Sequence, residues 1–172
     1  IRIAKKVTVK KAVVIIKSGK SAAGARAATS HTGAIAGSDK IYDAAFTQSG
    51  VIRARDMEEF FDIGKALAMQ PPALGKNIGI LTDAGGPGVM TVDESELLGL
   101  TVEHFSEGTS RKFEELKEKG VILKIAATSN PVDLTGSVTD EMFEISANIM
   151  FEDKDIYGII LLGLHHMPGL RE

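Results

Sequence analysis

One histidine lies in a stretch of unusually small residues. Ser30, His31, Thr32 and Gly33 occupy the middle of residues 18–38, where all but four of the 21 residues are Gly, Ala, Ser or Thr. A neutral imidazole is a competent nucleophile toward an activated phosphoryl group, and small residues let phosphate oxygens approach backbone amides closely. The segment is therefore interpreted either as a phosphoryl-accepting loop or as a loop with an ordinary histidine, and the residues alone leave both open.

A second glycine-rich turn joins a predicted strand to a predicted helix. Gly85, Gly86 and Gly88 surround Pro87, directly before the helix that is expected to begin at Val89. The amides of a first helical turn and the helix dipole together favour anions, and proline is tolerated there. The spacing fits neither the dinucleotide fingerprint nor the P-loop. The turn is predicted either to bind phosphate or to serve packing alone.

A third group of polar residues lies before the helix expected near Thr139. Ser129 to Gly136 reads SNPVDLTG, and its position suits the carboxyl edge of an α/β sheet, where ligands of such folds bind. Asn130, Asp133 and Gly136 can thus contact a substrate, as Ser30 can in the first segment. The alternative is that Asn130 and Asp133 hold an Asx turn, and this is the favoured interpretation.

The remaining histidines give little indication of a metal site. His165 and His166 are adjacent, so their side chains diverge in an extended segment, and no suitably spaced carboxylate accompanies them. We expect them to face solvent, and we expect His104 to be structural. The chain has no cysteine, which excludes disulfides, thiolate metal sites and cysteine nucleophiles. No metal ligand is assigned.

The elements that must position these residues alternate between strands and helices, which predicts an α/β fold with parallel sheets flanked by helices. Residues 18–38 are predicted to be loop-rich, and the prolines at 71 and 72 place a linker at residues 70–76. Strands are expected at 13–16, buried on both faces, and at 51–52, 78–81, 101–105 and 157–162. Helices are expected at 38–50, 56–70, 89–98, 110–119 and 139–150.

The composition argues against several further classes of function. The 172 residues carry 20 Lys and Arg against 23 Asp and Glu, a net charge of −3, so no broad basic face for nucleic acid is expected. No apolar run approaches the roughly 20 residues that span a bilayer, which predicts a cytoplasmic protein without a membrane partner. Aromatic content is only 5%, which disfavours flavin or base stacking. A free-standing redox domain is therefore a weak interpretation.

The order of the motifs resembles one enzyme family. SHTG, AGGPGV and NPVDL follow one another as in the NDP-forming acyl-CoA synthetases, which include the ADP-forming acetate–CoA ligases of the succinyl-CoA synthetase superfamily. The resemblance covers essentially the whole chain and implies two consecutive flavodoxin-like, succinyl-CoA-ligase-like units. Residues 1–72 would be the second half of the first unit, which is then incomplete. Residues 73–172 would be the second ligase-CoA unit.

The resemblance also implies a mechanism and missing partners. His31 would be the phosphorylated histidine, with Gly33, Gly85, Gly86 and Gly88 binding the phosphoryl group. Acyl-CoA, ADP and phosphate would interconvert with a carboxylic acid, CoA and ATP through acyl phosphate and phosphohistidine. A CoA-binding domain upstream and an ATP-grasp subunit or domain that binds Mg²⁺ and nucleotide would complete an oligomeric enzyme. No cofactor is expected on this chain alone. The alternative is a non-catalytic, metabolite-sensing module, as in relatives fused to an acetyltransferase.

Overall fold

The protein divides into two compact units, Ile1–Pro72 and Ala73–Glu172. The computed structural model describes residues 1–32, 38–164 and 168–170, with the backbone alone at positions 31 and 32. The division follows Pro72, inside the 70–76 segment that the two prolines mark as a linker. Within the described residues, no helix is both long and apolar enough to cross a membrane.

The first unit pairs two short parallel strands and surrounds them with helices. Val14 pairs with Ile52, and Ile16 pairs with Ala54. The long crossover between parallel strands is filled by two helices. In chain order the elements are α1 (Arg2–Val7), β1 (Val14–Ile16), α2 (Ala22–Thr32), α3 (Asp39–Gln48), β2 (Ile52–Ala54) and α4 (Met57–Met69).

The loop-rich prediction for residues 18–38 is wrong from Ala22 to Thr32, because α2 fills that stretch. Five of the first seven residues of α2 are alanine, the residue with the highest helix propensity. Small side chains therefore indicated a helix here rather than a loop. His31 is consequently part of the last helical turn, and Gly33 lies outside the described residues.

The expectation that β1 is buried on both faces is also wrong. Val14 and Ile15 are half-buried, and Ile16 is 38% exposed. The described part of this sheet has only two strands, so β1 is an edge strand, and the described helices leave part of it exposed. Continuous β-branched runs are typical of buried parallel strands, which explains the error.

The second unit is built on a three-stranded parallel sheet in the order β4-β3-β5. The central strand β3 is buried along its whole length. A core cluster that includes Phe113, Leu134 and Met150 packs in this unit. Its elements are β3 (Ile78–Thr82), α5 (Gly85–Leu97), α6 (Glu107–Glu118), β4 (Val132–Asp133), α7 (Asp140–Phe151) and β5 (Gly158–Leu162). Parallel sheets with flanking helices are thus confirmed.

Helix boundaries follow the local capping residues. Asp56, Ser106 and Thr139 each accept a hydrogen bond from the backbone amide three residues on, which starts α4, α6 and α7. Gly50 and Gly120 have φ values of +67° and +71° just beyond α3 and α6, and glycine adopts this region without strain. The predicted start of α6 at residue 110 is three residues late, because the helix begins at Glu107, directly after its cap Ser106.

The strand predicted at residues 101–105 is wrong. Only Thr101 pairs with the sheet, through a single parallel bridge to Asn77. Beyond it, the backbone of Glu103 bonds to two side-chain amides: its amide donates to Asn77 Oδ1 at 2.9 Å, and its carbonyl accepts from Asn130 Nδ2 at 2.9 Å. These side chains take the hydrogen bonds that a neighbouring strand would otherwise make.

Candidate functional site

His31 lies at the carboxyl end of α2, which spans Ala22–Thr32. Ser21 begins the helix, since its hydroxyl accepts from the Gly24 amide at 3.1 Å. The side chain of Ser30, a predicted substrate contact, donates to Arg26 O at 3.1 Å. The carboxyl end of a helix carries partial negative charge, so the backbone at this end of α2 presents carbonyl acceptors rather than amide donors.

The start of α2 is attached to the end of β2. Lys20 Nζ donates to Arg55 O at 2.6 Å, and the loop between β1 and α2 turns at Gly19, whose φ is +78°. Gly24 lies so close to this loop that a Cβ there would come within 3.3 Å of Gly19 Cα. The small residues at 19 and 24 therefore permit close packing of the loop on the helix.

The start of α3 is attached to β2 by charge. Arg53 donates to Asp39 Oδ1 at 2.6 Å and to Asp43 Oδ1 at 3.1 Å. The hydrogen bond from Arg53 holds the pKa of the Asp39 carboxyl below its usual value, and the same contact raises the pKa of Arg53. Sequence reasoning missed this group, although its i, i+4 carboxylates on one helix face were visible.

The second predicted site is the amino end of α5. The helix begins at Gly85, and its N-cap Ala84 offers no side-chain acceptor. Gly85 and Gly86 are exposed, and a Cβ on Gly86 would meet no atom within 4 Å. Gly88 is different, because it is buried, its amide donates to Ala84 O at 3.3 Å, and its Cβ position lies 3.1 Å from Thr82 Cγ2. Gly88 thus serves packing.

The third predicted site comes next to the second. Asp133 ends β4, and its Oδ2 lies 3.0 Å from where a Cβ on Gly85 would be. Its Oδ1 accepts from the Thr135 amide at 2.8 Å, which is the Asx turn favoured by the sequence. The amino end of α5 therefore already faces one carboxylate. Gly136 is exposed in the turn that follows Thr135.

Asp83 is a buried carboxylate at the same edge that the sequence analysis did not select. It is 1% exposed, its Oδ2 accepts from the Leu164 amide at 2.8 Å, and its Oδ1 has no hydrogen-bond partner. The contact joins the ends of β3 and β5. The acidic residue between the strand and the glycines was the available indication.

Asn130 completes the hydrogen bonding of β3. Its Oδ1 accepts from Ile80 N at 3.0 Å, and its Nδ2 donates to Ile78 O at 2.7 Å as well as to Glu103 O. All these partners are backbone groups of the protein. The side chain occupies a gap in the sheet between the Thr101 bridge and β4.

The structure places His31 in the first unit and the Gly85 and Asp133 pair in the second. His165 and His166 lie outside the described residues, and His104 is exposed. Across residues 1–30, 38–164 and 168–170, no three His, Asp or Glu side chains converge in a metal-binding group.

Comparisons with known proteins show which proteins this chain is similar to. Residues 1–67 match the family of succinyl-CoA ligase like flavodoxin domains. The chain is 44% identical over 156 residues to the α subunit of acetate–CoA ligase (ADP-forming) II from Pyrococcus furiosus, covering 91% of this chain and 33% of that subunit. It is 37% identical over 145 residues to 4-hydroxybutyrate–CoA ligase (ADP-forming) from Nitrosopumilus maritimus, covering 83% of this chain and 20% of that protein.

The fold has a solved counterpart as well. Acetyl-coenzyme A synthetase 1 of Ca. Korarchaeum cryptofilum, solved with phosphate and ADP, superposes with a TM-score of 0.85 at 33% identity, covering 94% of this chain and 34% of that one. The chain thus spans between a fifth and about a third of the length of these ligases. Residues 1–67 belong to the succinyl-CoA ligase like flavodoxin domain family, and the chain as a whole is homologous to a segment of the NDP-forming acyl-CoA synthetases.

Proposed function

We propose that this chain is part of an NDP-forming acid–CoA ligase and that His31 carries the phosphoryl group between two partial reactions. The observation that carries the proposal is the similarity along 91% of the chain to a subunit named as an ADP-forming acetate–CoA ligase. The relatives reported above are named as ligases or synthetases, which supports an enzyme over a metabolite-sensing module.

The reaction would proceed through three transfers. A phosphate oxygen attacks the thioester carbon, the C–S bond breaks, and acyl phosphate and CoA form. An imidazole nitrogen of His31 then attacks phosphorus, and the P–O bond to the acyl group breaks to release the carboxylate. Finally, a β-phosphate oxygen of ADP attacks phosphorus, and the N–P bond breaks to give ATP. Each step is reversible, as expected for phosphoryl donors of similar energy.

The second unit would contribute an anion site that has a carboxylate beside it. The exposed amides of Gly85 and Gly86 at the start of α5 are open to a ligand, and Gly33 is proposed as a further donor beside His31. Asp133 next to Gly85 would repel a bare dianion, so these two amides can hold a phosphoryl group only with a compensating donor or cation nearby. Ser30 and Gly136 remain proposed substrate contacts.

The remaining chemistry would belong to other parts of the complete enzyme. We assign nucleotide and Mg²⁺ to an ATP-grasp module and CoA to a CoA-binding domain, in a cytoplasmic oligomer. The purified 172-residue chain should therefore show no turnover with acetate, CoA and ATP. Turnover above a blank without protein would contradict this division of the site.

The direct test is phosphorylation of the complete protein, including its nucleotide-binding module. Incubation with [γ-³²P]ATP and Mg²⁺ should give acid-labile, base-stable label that maps to His31. His31→Ala should abolish the label, whereas His104→Ala, which changes an exposed histidine of the second unit, should retain it. If His31→Ala is labelled as well as the parent protein, the assignment of the carrier is wrong.

A further inference from the structure

Arg53 of β2 connects the sheet of the first unit to the first turn of α3. One guanidinium nitrogen, Nη2, lies 2.6 Å from Asp39 Oδ1, and the other, Nη1, lies 3.1 Å from Asp43 Oδ1. The Arg53 side chain is 14% exposed, compared with 30% for Asp39. We call these three residues the Arg53 latch. A planar guanidinium that bonds two carboxylates four residues apart restrains both the position and the rotation of the helix.

The latch matters because, among the described residues, ionic contacts account for most of the attachment of α3 at its amino end. None of the residues of α3 is fully buried, so apolar packing holds the helix only partly. Its carboxyl end is held differently: Thr8 Oγ1 donates to Ser49 O at 2.6 Å, and the Val51 amide donates to Phe46 O at 3.0 Å on the way into β2. Removing the latch would therefore release the amino end of α3 and leave the carboxyl end attached.

A second cation reinforces the same point. Lys17, which follows β1, lies 4.0 Å from Asp39 Oδ1, and its ammonium lies 4.4 Å from the ring centre of Tyr42. Asp39 is thus contacted both by Arg53 of β2 and by the residue that directly follows β1. The carboxylates of this network are partly exposed, and ion pairs with exposed partners contribute little to the free energy of folding. We therefore expect the network to fix the geometry of α3 more than to stabilise the fold.

We propose that Arg53 is a positioning residue for phosphoryl transfer at His31. This inference rests on the proposed function. His31 is the last residue but one of α2, and the chain enters α3 at Asp39, eight residues after His31. The latch therefore fixes the start of the helix that follows the histidine in the chain. Transfer between a nucleotide and an imidazole requires in-line placement, and displacement by about 1 Å lowers such rates severely.

The experiment measures single-turnover phosphorylation of the complete protein by [γ-³²P]ATP and Mg²⁺. Arg53→Met should lower the rate constant of labelling about tenfold, with the final amount of label and the apparent affinity for ATP unchanged. The control is Arg55→Met, which removes an arginine that is 83% exposed and pairs with Glu59 of α4. That change should alter the rate by less than about twofold.

A double-mutant cycle separates positioning from general stability. Asp39→Asn should lower the rate constant in the same direction, and Arg53→Met with Asp39→Asn should be no slower than Arg53→Met alone, because both remove one contact. Arg53→Lys keeps one ion pair and should restore part of the rate. If Arg53→Met does not fold, Asp39→Asn and Arg53→Lys give the same test, with rates normalised to the folded fraction by circular dichroism.

Each outcome either supports or overturns the proposed positioning role of Arg53. A parental rate constant in Arg53→Met and Asp39→Asn overturns the inference. A reduced amount of label at the parental rate also overturns it, since this would show loss of folded protein only. If His31→Ala retains the label, the proposed function itself fails. If His31→Ala loses the label while the Arg53 variants behave as the parent, only the positioning role fails.

Discussion

Asn130 shows how one side chain can replace part of a β-strand. Its amide bonds to the backbone of Ile78, Ile80 and Glu103, on the side of β3 where residues 101–105 were expected to form a strand. The residue is 9% exposed, so water cannot readily satisfy these groups if the amide is lost. Asn130 precedes Pro131 and was selected from the sequence as a ligand or turn residue. Its role was unpredictable without knowing that the neighbouring strand is absent.

Asn130→Ala should lower the free energy of unfolding by about 2–4 kcal/mol, because it leaves buried backbone donors and acceptors unpaired. Urea denaturation followed by circular dichroism measures the change. The matched control is Asn148→Ala on an exposed position of α7, which should change stability by less than about 0.5 kcal/mol. Equal effects of the two substitutions would contradict the structural role of Asn130.

Asp153 is another buried polar residue, and its carboxylate accepts hydrogen bonds from backbone amides inside the fold. Its Oδ2 accepts from the Ser106 amide at 3.0 Å, at the start of α6, and its Oδ1 accepts from the Asp155 amide at 3.0 Å. Burial alone would raise the pKa of this carboxyl, but the hydrogen bonds from Thr109, Asp155 and Ser106 outweigh it and lower the pKa below 3.8. The charged form is thus the one that the fold stabilises.

The pH dependence follows from this direction. Since the pKa is lower in the folded state, the contribution of Asp153 is complete above its unfolded pKa of about 4. It is lost as the pH falls through the lower folded value. Asp153→Asn should cost about 1–3 kcal/mol at pH 7 and should weaken the fall of stability as the pH drops below about 4. Asp93→Asn, on an exposed position of α5, should leave the acid profile unchanged, and an unchanged profile in Asp153→Asn would contradict the assignment.

At the scale of elements, α2 and α5 illustrate what local sequence can and cannot determine. The alanines of α2 have high helix propensity, yet together with the surrounding glycines and serines they led to the prediction of a loop. For α5 the glycine-rich turn was located correctly, but the helix begins at Gly85 instead of Val89. Caps with a side-chain acceptor, such as Asp56 and Thr139, were predictable, because the bond they make is local.

The packing of α7 on β3 gives a test of the core. A Cβ on Gly79 would lie 2.5 Å from Met150 Cε, and both residues are buried. Gly79→Ala should therefore destabilise the second unit by about 1–3 kcal/mol through overpacking. The same change made in a Met150→Ala background should cost less, because the contacting methyl group is gone.

The control for Gly79→Ala is the same substitution at a glycine of α4. Gly64 is helical, and a Cβ there would meet no atom within 4 Å. Gly64→Ala should stabilise the first unit by about 0.5–1 kcal/mol through helix propensity. Thermal unfolding of the Gly79→Ala and Gly64→Ala proteins should thus shift in opposite directions. A stabilising Gly79→Ala would show that α7 packs less closely on β3 than described.

At the scale of the molecule, the two units differ in their cores. Among the described residues of the first unit, Val51 and Ala54 are the buried apolar side chains, whereas the large buried side chains such as Phe113 and Leu134 belong to the second. Parallel α/β architecture was predictable, since strand and helix patterns alternate along the sequence. The exposure of β1 was not predictable, because it depends on the elements that pack against the strand and not on the residues of the strand.

This difference predicts separate folding behaviour. Residues 73–172 produced alone should unfold in a single cooperative transition, because they hold the contiguous core. Residues 1–72 alone should show a weak transition or none, since few apolar side chains are withdrawn from water. Calorimetry of the two fragments measures this. A cooperative transition in residues 1–72 and none in 73–172 would contradict the distribution of the core.

The central claim, that His31 carries the phosphoryl group, is tested most directly by kinetic competence in the complete protein. Rapid quenching should show phosphohistidine forming from ATP, and losing its phosphoryl group to acetate when acetate and CoA are added, at rates at least equal to kcat. His31→Ala should neither label nor turn over. Label that forms more slowly than the enzyme turns over, or turnover that survives in His31→Ala, would contradict the account.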